Sequence, residues 1–408
     1  MRKNILFVTG TRADFGKLKP LIGRVAASET FDYRIFATGM HMLSRYGATV
    51  DEIARSFQNI YPYLNQDAFG SSGMDLALAN TIQGLGHYVR EFPTDLIVVH
   101  GDRIEALAAA TVGALQNILV AHIEGGEVSG TVDDLMRHAI SKLSHLHFVA
   151  NQEARDRLIQ MGEQPEAVFV IGSPDIDVML SGSLPSLNEV TSHYEIPFDD
   201  YCIFIYHPVT TELAGLEERA GRMWESLLAS DRKFVVIHPN NDSGSEILLR
   251  QLSQHSGNPR FRCLPSMRFE SFLTLLKHSQ AIVGNSSAGI REAPVYGVPT
   301  INIGTRQSNR FTYASIQNIP DDPVAILSAL RTTPVHFAPS RHFGDGNSAE
   351  RFMDCLRTDS LWHARKQKQF RDLVTGPTPM ASMSGKDQLG SGVPKLAVGR
   401  EESGQGWQ

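Results

Sequence analysis

The chain has 408 residues, of which 42% are apolar and 20% charged, and its net charge is -6. That is an ordinary globular composition, and the length exceeds what one hydrophobic core usually organises, so two domains are expected. The acidic balance gives no basic footprint for wrapping nucleic acid, while leaving room for a small pocket that holds an anion.

The opening MRKNILFVTG is basic at its start, but its apolar run stops at Gly10 after one strand's length, too short for a secretory signal. From there, short β-rich runs alternate with longer amphipathic stretches, the pattern of parallel sheets with crossover helices. Strands are predicted at residues 4–9, 33–38, 96–100, 119–123, 147–150 and 168–171, and again at 201–206, 234–238, 261–264, 281–283 and 300–303. A polar segment with two prolines, residues 181–200, reads as the connection between two doubly wound domains, 1–180 and 201–350. From residue 375 the chain turns rich in Gly, Ser and Pro and is expected to be a disordered tail. No run approaches the roughly 20 apolar residues that span a bilayer, so no membrane partner is expected. The three cysteines, Cys202, Cys263 and Cys355, form no CxxC pair and read as reduced thiols of a cytoplasmic protein.

Ligands of such sheets bind beyond the carboxyl ends of the strands, so the strand-to-loop junctions carry the functional reading. The first, TGTRADFGK, puts Arg12 at a helix start, where a guanidinium beside free N–H groups suits a phosphate; a helix-start pair with Asp14 fits equally well. VVHGDR and AHIEGGE end adjacent strands and bring His100, Asp102, Arg103, His122 and Glu124 toward one spot, with Asp133 and Asp134 following. Clustered carboxylates repel and perturb one another's ionisation, which packing alone does not call for. In the second half, YHPVTTE offers His207, and IHPNND offers His238, Asn240 and Asp242. GNSSAGIREA offers Ser286 and Ser287 to a diphosphate and Glu292 to ribose hydroxyls; a serine cap followed by a surface pair of Arg291 and Glu292 is the plainer alternative. His145 and His147 alternate as HxH, but no HExxH or CxxC accompanies them, so no metal site is expected.

Taken in order, TGTRAD, HGDR, HIEGGEVSGTVDD, RHAISKLSHLH, YHPVTT, GNSSAGIREA, INIGTRQ and GDGN closely resemble the hydrolysing UDP-N-acetylglucosamine 2-epimerases of sialic-acid biosynthesis. The similarity includes the epimerase half of the bifunctional animal enzyme and runs from Asn4 to about Asp372. It implies two Rossmann-like domains in the GT-B arrangement, with a C-terminal helix, 351–374, returning to the first domain. It implies release of UDP and of a 2-acetamido sugar of manno configuration. By resemblance Asp102, Glu124 and Asp133 are the catalytic acids and His207 the second-domain histidine, while Arg12, Arg103, Asn240, Ser286, Ser287, Glu292 and Arg306 contact UDP. We expect a homo-oligomer, dimer or tetramer.

The chemistry fits these residue types. C2 carries a hydrogen that no carbonyl acidifies, so UDP must first leave C1; a base then removes the C2 hydrogen to give a glycal, and water adds back with inverted configuration. Departing diphosphate charge needs cations and a helix N-terminus, and the developing positive charge needs carboxylates. Asp102 and Glu124 are expected to serve the elimination, Asp133 the hydration, and His207 the leaving group or a proton transfer. This route needs no nicotinamide cofactor. The segments PNNDSGSE and PSMRFESF also resemble epimerases of UDP-2,4-diacetamido-2,4,6-trideoxyhexose in legionaminic-acid pathways. A GT-B glycosyltransferase and a non-catalytic UDP-sugar sensor are the readings of other classes.

Overall fold

The computed structural model describes residues 2–66, 73–128, 132–240, 242–332 and 337–372. The tail from residue 375 lies outside the described residues. The β-branched and aromatic runs form two parallel sheets, whose central strands, among them Leu96–His100, Leu119–Ile123 and Cys202–Ile205, are buried along their whole length, as strands covered on both faces by crossover helices must be. The first sheet comprises β1 (Lys3–Thr9), β2 (Phe31–Ala37), β3 (Ile60–Pro62), β4 (Leu96–His100), β5 (Leu119–Ile123), β6 (Leu146–Val149) and β7 (Val168–Val170). The second comprises β8 (Cys202–Ile205), β9 (Phe234–Ile237), β10 (Phe261–Leu264), β11 (Ile282–Gly284), β12 (Thr300–Ile303) and β13 (Ile316–Ile319).

Their spatial orders, β3-β2-β1-β4-β5-β6-β7 and β10-β9-β8-β11-β12-β13, each reverse direction at one place. In the first sheet β1 pairs with β2 on one side and β4 on the other; in the second β8 pairs with β9 and β11. Crevices open beyond strand ends at such reversals. The four motifs TGTRAD, HGDR, YHP and GNSS follow β1, β4, β8 and β11 directly. All the predicted strands are present, with ends displaced by a residue or two. Two strands were not predicted, β3 and β13, and both are edge strands with partly exposed side chains. An edge strand shows water one flank and one face, so neither leaves the continuous apolar run that marks a buried strand.

The C-terminal helix expected at 351–374 is instead Ser348–Arg357 followed by the short helix Asp359–Trp362, and its Ala349, Phe352, Met353 and Leu356 are buried at the spacing of one helical face. Those side chains belong to the core around β1, β4 and β6, where Phe352 meets Phe148 edge to face at 4.9 Å. The chain thus leaves the second sheet and completes the core of the first. No described helix is long and apolar enough to cross a membrane.

Candidate active site

Between the two sheets lies a cavity of about 380 Å3 whose wall includes both Glu124 and Ser286. Its first-domain wall begins at the helix Arg12–Ala26. Thr11 caps that helix, and the Asp14 carboxylate returns to the backbone N–H groups of Gly10 (3.0 Å) and Thr11 (2.8 Å). Asp14 is thereby committed to the cap, and Arg12 pairs instead with Glu52 (2.8 Å) and donates to Ser266 Oγ (2.7 Å) of the second domain. The alternative Arg12–Asp14 pair is not formed.

After β4, Gly101 takes a left-handed φ of 71° and turns Asp102 and Arg103 to the cavity. Asp102 accepts from Arg137, and Arg103 faces Glu105 and, across the domain boundary, Asp242, each at 3.7 Å. After β5, Glu124 itself has a φ of 63°, an uncommon conformation for a residue with a side chain and one that clusters at functional sites. Gly126 follows at φ 76°, where a Cβ would stand 2.2 Å from the Ala154 carbonyl oxygen. Glu124 Oε2 accepts from His100 Nε2 (3.1 Å), and its Oε1 accepts from Ser173 Oγ and from Arg291 (2.6 Å). Asp133 opens the helix Val132–Leu143 and meets Arg306 Nη2 at 3.4 Å.

The second-domain wall contains His207, Asn240, Ser286, Ser287, Glu292 and Arg306. His207 Nδ1 accepts the Asn240 backbone N–H (3.0 Å), so the ring proton sits on Nε2 in the neutral form. The helix expected after Ser287 is two four-residue pieces, Ala288–Arg291 and Ala293–Tyr296, with Glu292 at the joint. Pro294 lacks the N–H that would continue the ladder to Ile290. Glu292 Oε1 pairs with Lys17 (3.2 Å), while Oε2 has no hydrogen-bond partner among the described residues. The surface pair of Arg291 and Glu292 is not what forms: both are buried, and each pairs with an opposite charge of the first domain.

Every candidate residue singled out for the site therefore lines one cavity, but some neighbours do not. His122 is fully buried, bonded to Ser141 Oγ (3.0 Å) and the Gly101 carbonyl (2.7 Å), so it supports the turn from beneath. Asp134 turns along its own helix toward Arg137 and His138. His145 and His147 bond to the Lys366 carbonyl and to Glu163, each at 3.0 Å. Sequence reasoning did not assign to the site four cations of the cavity wall: Lys17, Arg137, Arg291 and Arg310. Lys17 and Arg137 lie one turn beyond Asp14 and Asp133, at helical spacing from residues already named, which was the available signal.

The acids differ in ionisation. Burial alone would raise Asp102, but Arg137 and Arg310 bring it below the usual carboxylate range. Burial acts likewise on Glu124 and is overcome by Arg291, Lys17 and His100, which hold it well below that range. Asp133 goes the other way, raised by burial and by the Asp102 charge against the opposing pull of Arg306. His207 is held well below the usual imidazole range by burial and by Arg306 and Arg103, so it is neutral. Arg310, half-buried and close to Arg137, is lowered to about 10 by desolvation and by that neighbouring charge, and remains a cation at neutral pH.

Residues 24–357 match the protein family described as UDP-N-acetylglucosamine 2-epimerase. The chain is 46% identical to a UDP-N-acetylglucosamine 2-epimerase of Neisseria meningitidis serogroup B, over 91% of this chain and 99% of the relative. It is 34% identical to a hydrolyzing UDP-N,N'-diacetylbacillosamine 2-epimerase of Legionella pneumophila, over 88% and 97%. Among solved structures, a Methanocaldococcus jannaschii UDP-GlcNAc 2-epimerase in complex with UDP-GlcNAc and UDP superposes with a TM-score of 0.75. That likeness covers 86% of this chain and 99% of the other at 20% identity, and it concerns the fold: two parallel-sheet domains of the GT-B type.

Proposed function

This chain belongs to the UDP-N-acetylglucosamine 2-epimerase family, and from that premise we propose that it converts UDP-N-acetylglucosamine and water to N-acetylmannosamine and UDP by elimination and rehydration. The observation that carries the reading is the shared cavity, in which Asp102, Glu124 and Asp133 of one domain face His207, Ser286 and Arg306 of the other. An ionised pair of carboxylates suits an oxocarbenium-like centre, and cations opposite suit the departing diphosphate.

The ionisation pattern divides the roles. C1–O cleavage sends the bonding electrons to the diphosphate, held by Arg306, Arg12, Arg103 and the Ser286 and Ser287 segment. Neutral His207 donates its Nε2 hydrogen to a phosphate oxygen as a hydrogen bond. Glu124 or Asp102, both ionised, takes the C2 proton as the glycal double bond forms. Asp133, the acid whose carboxyl is raised, carries the proton exchange that hydration requires. Glu292 Oε2 accepts from a ribose hydroxyl. The C1–C2 double bond then takes a proton at C2 from the opposite face, and water adds at C1.

The Legionella relative and the segments PNNDSGSE and PSMRFESF favour a second reading, in which the sugar is a 2,4-diacetamido-2,4,6-trideoxyhexose. Purified protein incubated with each UDP-sugar in deuterated water decides between them. UDP release with deuterium at C2 of the free sugar is the expected result for one of the two. Release only when an acceptor is added would make the protein a glycosyltransferase, and tight UDP binding with no release from either sugar would make it a sensor.

A further inference from the structure

We propose that Arg291 is a positioning residue: it clamps one oxygen of Glu124 across the domain boundary and leaves the other oriented as the base. This rests on the reading of Glu124 as a proton acceptor. Arg291 lies in the second domain, yet Nη2 reaches Glu124 Oε1 (2.6 Å) and Ser173 Oγ (2.7 Å), and Nη1 reaches Glu127 Oε2 (3.2 Å). Its guanidinium lies over the Phe343 ring at 4.5 Å, which fixes the plane of the fork. Oε1 is thereby engaged by two donors, and Oε2 retains only His100 beside the cavity.

A purely architectural role explains this poorly. Taking both charges out of water is costly, and apolar side chains would join two buried surfaces at least as well. The pair also sits where the Glu124 backbone is left-handed, so a carboxylate is held at this point against local preference. The other titratable or charged groups facing Glu124 are His100 from β4 and Lys17 from the first helix; Glu127, Asp175 and Glu292 surround Arg291. Lys17 is itself shared between Asp175 (3.1 Å) and Glu292 (3.2 Å) and cannot replace the fork.

The test compares Arg291→Met and Arg291→Lys with wild type. In Arg291→Met, kcat should fall about a hundredfold or more, and the acid limb of kcat/KM should move up by about 1–3 pH units. Arg291→Lys should return most of the limb, since charge is restored, but only part of kcat, since the fork is not. Glutamate labelled with carbon-13 at the carboxyl gives an activity-free readout: the resonance absent from Glu124→Gln should titrate at higher pH in Arg291→Met. A reduced kcat with an unmoved limb, or an unmoved resonance, overturns the inference. Should wild type fail to turn over either UDP-sugar, the functional reading falls, and the resonance still decides whether Arg291 governs Glu124.

Discussion

Glu163, which does not line the cavity, should set the acid sensitivity of the folded chain. Its carboxylate is almost wholly buried and accepts from His147 Nε2 (3.0 Å), Lys142 Nζ (2.8 Å) and Lys368 Nζ (2.5 Å). Lys368 also donates to the Ser141 and Ser144 carbonyls at the end of the helix carrying Asp133, so Glu163 ties the last described segment to that helix. Burial would raise Glu163, but the His147 donor and the two ammonium groups lower it from 4.5 to about 2. A folded value below the unfolded one means that the contribution is complete above about pH 4.5 and is lost as pH falls toward 2. A shift of about 2.5 units at about 1.36 kcal/mol each gives about 3.4 kcal/mol at neutral pH. About 0.8 kcal/mol of this goes by pH 4 and about 2 kcal/mol by pH 3. Lys142 is half exposed, and solvent screening brings the expected values to roughly half of these. Glu163→Gln behaves as a permanently protonated glutamate. Urea unfolding at pH 7, 5 and 4 should show the variant less stable at pH 7 and the gap narrowing with acid. A gap that stays constant, or widens, refutes the reasoning.

Asp102→Asn keeps the shape but removes the charge that Arg137 holds, and turnover should fall by about 10²–10⁴; unchanged turnover removes Asp102 from the chemistry. In Asp133→Asn, glycal should accumulate in quenched reactions, and its absence would place Asp133 before elimination rather than after it. Gly284→Ala puts a Cβ 1.9 Å from the Ile205 carbonyl oxygen at a φ of 126°, so the variant should lose about 1–3 kcal/mol or more in denaturant unfolding. Phe352→Ala empties a fully buried position in the core of the first sheet and should cost about 3–5 kcal/mol by the same assay.

The parallel sheets were legible because a strand buried on both faces writes an uninterrupted apolar run, and the junction motifs were legible because glycine and charge directly follow such runs. Edge strands β3 and β13 escaped for the converse reason. At the site, acids were easier to find than their partners. Asp102 and Glu124 stand at strand ends, whereas Arg291 and Arg310 look in sequence like any surface arginine. Arg291 shows the difficulty: beside Glu292 it reads as half of a local pair, and only folding reveals that neighbours of opposite sign each face a separate partner more than a hundred residues away. Spacing along one element reports which residues share a face, not which charge a second domain will bring to it.

Arg306 and Arg103 would meet the diphosphate, yet they also face Asp133 and Asp242. Cations held in this way are ordered before the ligand arrives, and binding transfers part of their charge from protein carboxylates to phosphate. For Asp133 the consequence has a sign. Arg306 opposes the burial and the Asp102 charge that raise its carboxyl; sharing Arg306 with a diphosphate weakens that opposition and adds a second anion nearby. Asp133 should therefore be raised further in the substrate complex than in the free enzyme. If it serves as the acid in its proposed step, activity falls as pH rises through its value. The alkaline limb of kcat, which reports the complex, should lie above that of kcat/KM, which reports the free enzyme. The separation should shrink in Arg306→Lys, whose ammonium cannot fork between the two anions. Coincident limbs in wild type, or a kcat limb displaced to lower pH, would show that the diphosphate does not draw Arg306 away from Asp133.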